Sequence, residues 1–254
     1  ADEITTLMVS GEAELCMLPV PAATAVQLQN PDVREALDLS AEWDALQNGS
    51  RLTMTVLVAR TEYIEENPDT VAWITIPGTN IDYPVMQTVN EPNFYLKRGF
   101  DKQYSDYGVP YVQENCDLAL SDNCVLYGHH MNNGTIFADL CKYESEDFYQ
   151  EHKIIRFDTL SGFGEYEIVA VFKTVAYSEQ GFRYYHFVDA ESAADFDDYI
   201  AKCKELSLYD TGVTAEYGDK LITLSTCEYS RQNGRMVVVA KKIVSPSLEV
   251  GDDA

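Results

Sequence analysis

Cys227 closes the apolar run Leu221-Ile-Thr-Leu-Ser-Thr-Cys227, and Arg235 opens the next one, Arg235-Met-Val-Val-Val-Ala-Lys-Lys-Ile243. Between them lies the polar stretch 228–234. Two β-branched runs joined by a short loop read as neighbouring buried strands, which would hold a thiol and a guanidinium at the same end of a sheet. A thiol can act as a nucleophile, and a guanidinium can stabilise the oxyanion that its attack creates. The missing partner is an acid/base. Four histidines occur, at 129, 130, 152 and 186, and the first two sit together in Gly128-His-His-Met-Asn-Asn-Gly134, directly after the short apolar run 125–127. A glycine-containing loop at a strand end is where function is often carried. His152 and His186 have no such context and read as surface or packing residues. Taken singly, each member has a plain structural reading: a free cysteine is usually a buried small hydrophobe, a strand-end arginine a solvated charge, a lone histidine a packing group. The combination carries the argument.

The elements that must position these groups follow from the rest of the chain. Residues 1–30 read as an irregular arm, and 31–66 as a helical region opened by Pro31, with Val33, Leu37, Trp43 and Leu46 at helical spacing and a β-branched run at 52–58. From residue 67 strand signals dominate: 71–76 and 81–86 form a hairpin-like pair in which Pro84 favours an edge, followed by runs at 109–113 and 125–127 and a longer pair at 153–157 and 166–175. A helix is expected at 135–142. The clearest helix spans 189–206, with Phe196, Tyr199, Ile200, Cys203 and Leu206 on one face and acidic residues in its first turns. About eight short strands with few helices point to a mainly β fold, a closed or partly closed barrel with helical insertions. The expected divisions are the arm (1–30), the helical region (31–66), a catalytic barrel (67–246) and a tail (247–254).

A length of 254 residues with 46% hydrophobic content supports a sizeable core without a disulfide framework. The 18 basic residues against 42 acidic ones leave a net charge of −24, which excludes nucleic acid as a partner class because phosphate binding needs clustered cations. Such a surface could suit an amine-bearing substrate. Six cysteines without a Cys-x-x-Cys pair do not make a disulfide scaffold; Cys116 and Cys124 would either bridge a loop or remain two thiols. A zinc site from Cys116, Cys124, His129 and His130 matches none of the usual spacings. A Cys-x5-Arg phosphate loop would need arginine where Asn233 stands. Neither a signal peptide nor an apolar run near 20 residues occurs, so the chain reads as soluble, with any membrane anchor outside it.

Thr223-Leu-Ser-Thr-Cys227, the Arg235-Met-Val-Val-Val-Ala240 run and Tyr127-Gly-His-His-Met131 together resemble the sortases, cysteine transpeptidases of Gram-positive cell surfaces. The stretch from Asn67 to Val85 and the 189–206 helix before the last two strands resemble class B in particular, and the likeness covers about residues 60–243. The resemblance implies an eight-stranded barrel with Cys227 as nucleophile, His129 as general acid/base, since the family's histidine directly follows glycine, and Arg235 as the group that orients substrate and stabilises the oxyanion. Leu96, Tyr177, Phe182, Ser225 and Glu228 fall at positions resembling the groove for a sorting signal. One departure stands out: Pro92 replaces the family's asparagine four residues before Leu96, with Asn93 one step later. The seven residues between Cys227 and Arg235 are fewer than in some class B members and compatible with a tightened loop, for which Asn233-Gly234 is suited. The resemblance further implies cleavage after threonine in a sorting motif, transfer to an amine of peptidoglycan or a pilin, no metal or organic cofactor, and a place on the outer face of the cell membrane through an N-terminal anchor. Release of the acyl group to water, pilus assembly, or a non-catalytic peptide-binding surface module are the competing readings.

Overall fold

The computed structural model describes residues 67–177, 179 and 181–243. The expected N-terminal arm, helical region and C-terminal tail, with the last residues of the expected barrel, lie outside the described residues. Eight strands follow in chain order: β1 (Thr70–Thr75), β2 (Asp82–Met86), β3 (Tyr111–Val112), β4 (Asn123–Tyr127), β5 (Ile154–Thr159), β6 (Glu165–Val175), β7 (Leu221–Cys227) and β8 (Gly234–Lys242). In space they run β1-β2-β3-β4-β7-β8-β6-β5, and β5 returns to β1 to close a barrel. Closure removes the unpaired edges that an open sheet of this size would expose. The mainly β barrel expected from the spacing of short strands is therefore the observed fold.

Burial along the strands follows from this closure. β1 alternates buried and half-buried residues, as a strand with one face on the core does. β7 and β8 are buried almost throughout because both faces are covered: the Tyr184 and Tyr199 hydroxyls bond Ser225 and Thr223 of β7 at 2.6 and 3.2 Å, and the 3₁₀ turns Ala138–Glu144 pack against both strands. Ile74, Val85, Leu126, Phe172, Leu224 and Val238 are fully enclosed at the centre. Pro84 sits in β2 opposite Trp73 of β1, while β2 meets β3 only at Met86. Its missing N–H therefore leaves no gap in a second ladder, in keeping with the expected edge character.

Two expectations about helices need adjustment. The long helix, α2 (Ala193–Leu206), begins four residues later than its hydrophobic pattern suggests, because Ser192 is its cap and accepts the Asp195 N–H at 3.3 Å. Asp189 lies before the cap and instead accepts the Asp122 N–H. Phe196, Tyr199, Ile200 and Cys203 are the buried face, packed on β6. At 135–142 a continuous helix is prevented by Ile136, whose φ of 59° is left-handed. The chain forms the 3₁₀ turns Ala138–Glu144, resets at the extended Ser145, and then makes a short helix, α1 (Glu146–Glu151), that the sequence pattern did not announce.

Candidate active site

Three strands bring the chemistry-bearing residues to one rim. β4 and β7 run parallel with Tyr127 beside Ser225, so the chain leaves both strands at the same end of the barrel. His129 lies two residues beyond Tyr127, and Cys227 two residues beyond Ser225. β7 and β8 run antiparallel with Cys227 directly opposite Arg235. Directly opposed residues share a face of the sheet, so Cys227 and Arg235 lie on the same face of strands about 4.8 Å apart, and the loop that carries His129 leaves β4 on the other side of β7. All three are half-buried, as groups that must meet a substrate need to be.

Local bonding fixes the two loops. The Gly128 N–H donates to Ser225 O at 3.2 Å, and the Thr226 hydroxyl donates to Gly128 O at 2.8 Å, extending the β4/β7 pairing by one step. A side chain at residue 128 would put its Cβ 2.6 Å from the Phe137 ring, so glycine is required where the histidine loop starts. Across the β7–β8 turn, Asn233 takes a left-handed φ of 56°, and a Cβ on Gly234 would lie 2.3 Å from Glu228 O. The Glu228 N–H donates to Gly234 O at 3.0 Å, which ties the seven-residue interval into a tight turn.

The two histidines differ in what they hold. His129 Nε2 is 2.7 Å from Leu96 O. A carbonyl only accepts, so the proton is on Nε2 and Nδ1 is left for proton transfer. His130 Nδ1 is 3.1 Å from Cys227 O and 3.2 Å from Cys141 Sγ, so its N–H is committed to the backbone of the cysteine itself. Its ring packs against Tyr229, centroids 5.1 Å apart, and the Tyr229 hydroxyl donates to His130 O at 3.0 Å. Arg235 spends one donor on Gly234 O at 2.9 Å, leaving most of its fork free, and lies 6.0 Å from the Tyr177 ring.

Among the cysteines of the described residues, only Cys141 and Cys227 are not buried. Burial pushes the Cys141 thiol up to about 11, with Glu228 adding to the effect, which keeps it protonated and poorly nucleophilic near neutral pH. Sequence reasoning missed Cys141 and Tyr229, which reach the site from 3₁₀ turns and from a polar loop without any motif. Cys116 and Cys124 are buried free thiols toward the start of β4, Cys116 Sγ accepting the Val125 N–H at 3.4 Å, whereas the histidines follow the other end of that strand. The four residues of the imagined zinc set are thus not brought together.

The expected peptide-binding residues are placed unequally. Leu96 is 39% exposed and bonded through its carbonyl to His129. Tyr177 is 83% exposed and holds a left-handed φ of 58°, unusual for an aromatic residue. Phe182 is half-buried against Phe172 and Tyr199, its ring 5.8 Å from each. Ser225 is 2% exposed, and its hydroxyl is paired with that of Tyr184 at 2.6 Å, beneath the rim. Burial would raise the Glu228 carboxyl, but the Ser230 hydroxyl and N–H, together with Lys173, outweigh it and hold the group below the usual range.

Comparison with known proteins agrees with this geometry. A sortase domain model matches residues 74–243. A Sortase B of Listeria monocytogenes is 34% identical over 180 residues, which are 70% of this chain and 71% of that protein. Among solved structures, a Staphylococcus aureus sortase B–substrate complex superposes with a TM-score of 0.66 at 33% identity, covering 73% of this chain and 85% of that one. A sortase B complexed with triglycine gives the same TM-score and identity, covering 73% and 86%. With motif, strand order and rim in agreement, the chain belongs to the sortase family of cysteine transpeptidases, and within it to class B.

Proposed function

We propose that Cys227, His129 and Arg235 are the working groups of this transpeptidase and that its donor is a C-terminal sorting peptide cut after threonine. The observation that supports this reading most is the strand order at the rim, parallel β4/β7 followed by antiparallel β7/β8, in which the accessible thiol of Cys227 stands opposite Arg235 and the histidine loop leaves the neighbouring strand at the same end. The Cys227 thiolate attacks the threonine carbonyl; Arg235 donates to the oxyanion; His129, protonated at Nδ1, gives that proton to the leaving amine. The C–N bond breaks and a thioester remains. An incoming amine then attacks the thioester carbon, loses its proton to His129 Nδ1, and the Cys227 thiolate departs. Leu96, Tyr177, Phe182 and Glu228 form the candidate rim for the peptide, with Ser225 beneath it.

The proposed acceptor is an amine of the cell wall or of another surface protein, and the proposed location is the outer face of the membrane, held by an N-terminal anchor. Among the described residues, no helix is long and apolar enough to cross a membrane. Transfer and hydrolysis are separated by incubating the protein with Asn-Pro-x-Thr and Pro-x-Thr-Gly type peptides, with and without triglycine. Ligated product that depends on Cys227 is the expected result. Cleaved peptide alone, unchanged by triglycine, would make the protein a hydrolase.

A further inference from the structure

Next to the rim lies a groove of about 390 Å³ whose lining has a composition unlike the rest of the chain. Lys173 of β6, Arg183, Lys202 of α2 and Arg231 of the β7–β8 turn all face it, and none of the lining residues is acidic. In a chain where 42 acidic residues oppose 18 basic ones, four cations from four separate segments converge on one concavity without a carboxylate in its wall. Lys173 is paired outside the wall with Glu144 at 2.7 Å and Glu228 at 3.7 Å, and Lys202 with Glu205 at 2.9 Å. Arg183 and Arg231 are exposed and have no side-chain partner among the described residues. Guanidinium groups left open in this way match the two-oxygen fork of a carboxylate or phosphate.

The location gives the groove a use. Thr174, part of its lining, pairs with Arg235 of β8, which in turn pairs with Cys227 of β7. Two strand spacings put the groove about 10 Å from the nucleophile. Phe182 belongs to both the rim and the groove, and its N–H is fixed to Thr174 Oγ1 at 2.9 Å. An extended peptide advances about 3.4 Å per residue, so an anionic group some three residues from a reacting amine would reach the arginines. The attacking amine must be uncharged when it reacts and cannot serve as its own ionic anchor. A net charge of −24 also repels a carboxylate-bearing acceptor from most of the remaining surface.

We infer that this groove holds a carboxylate of the amine acceptor, a short acidic peptide whose free amine is delivered to the Cys227 thioester. The inference rests on the acyl-transfer reading above and specifies its second substrate. Arg183 and Arg231 supply the specificity; Lys173 and Lys202 add background charge.

The probe is Gly-Gly-Glu, compared with the same peptide carrying both carboxyls as amides, titrated calorimetrically into the full chain with Cys227→Ala. The expected result is binding at least tenfold tighter for the acid than for the diamide, weakened by salt, with the difference abolished in the Arg183→Gln/Arg231→Gln double variant. In the protein that keeps Cys227, the same double variant lowers ligation to Gly-Gly-Glu to the diamide level and leaves thioester formation without acceptor unchanged. Equal binding of acid and diamide, or a preference that survives the double variant, overturns the inference. So does a charge effect confined to thioester formation, which would give the anion to the donor. Inorganic phosphate that displaces the probe at lower concentrations than the probe itself requires would reassign the groove to a phosphate-bearing ligand. If no thioester ever forms while carboxylate-dependent binding persists, the acyl-transfer reading fails and the ligand preference of the groove stands.

Discussion

His130 illustrates how much a residue adjacent to the chemistry can matter without entering it. Its Nδ1–H holds the Cys227 carbonyl at 3.1 Å, and Tyr229 clamps its ring and backbone, so it sets where the end of β7 lies relative to the histidine loop. Replacing it with asparagine leaves an N–H donor close to the position of Nδ1, whereas alanine leaves none. Steady-state ligation kinetics should therefore show His130→Ala reducing kcat about tenfold with KM nearly unchanged, and His130→Asn recovering most of the loss. An equal loss in both variants would remove the positioning role. Arg235→Ala should cost more, about 10²–10³ in kcat, as removal of an oxyanion donor does, and Arg235→Lys should recover only part of it because the fork is lost. At this scale the sequence was informative where chemical types stand at strand ends, as Cys227, His129 and Arg235 do. It was silent on Cys141 and Tyr229, whose importance comes only from where their loops are carried by the fold.

At the scale of elements, the β7–β8 turn is the most constrained connection at the site. Its tightness depends on Gly234, where any Cβ meets Glu228 O at 2.3 Å, and on the left-handed Asn233. Gly234→Ala should force Arg235 away from its place opposite Cys227 and destabilise the protein by about 2 kcal/mol, the usual cost of an overpacked position, measured as a lower urea midpoint together with a fall in kcat. An unchanged midpoint with full activity would show that the turn has slack. The Asn-Gly pair made this turn legible in advance, as period-two and β-branched runs made the strands. The helices were less legible at their ends. α2 begins at a serine cap inside an acidic run that its hydrophobic period cannot distinguish from helix, and the 135–142 segment is broken by a left-handed isoleucine that no propensity would select.

For the whole molecule, the parallel pairing of β4 with β7 brings residues some hundred positions apart onto one rim, and this long-range pairing is what local periodicity could not supply. Asp122 shows the same dependence from the opposite end of the site strands: it accepts the Ala190 N–H and the Lys220 ammonium, each at 3.0 Å, while its backbone receives the Leu221 N–H that starts β7. Burial would raise its carboxyl, but these donors prevail and hold it below 3.8. A lowered folded pKa means the stabilisation is fully present above pH 3.8 and is lost as the pH falls through the folded value. Urea unfolding should thus find Asp122→Asn about 1 kcal/mol less stable than the parent at pH 6, with the gap closing toward pH 2.5. A gap that stays constant with pH would assign the loss to geometry alone. The central claim, that the barrel gathers one nucleophile, one acid/base and one oxyanion donor at this rim, is tested most directly by intact-protein mass spectrometry during turnover of a sorting-type peptide. The account predicts an acyl adduct that maps to Cys227, disappears when triglycine is added as ligated peptide forms, and is absent from Cys227→Ala. An adduct on Cys141, or one that persists without Cys227, would contradict it.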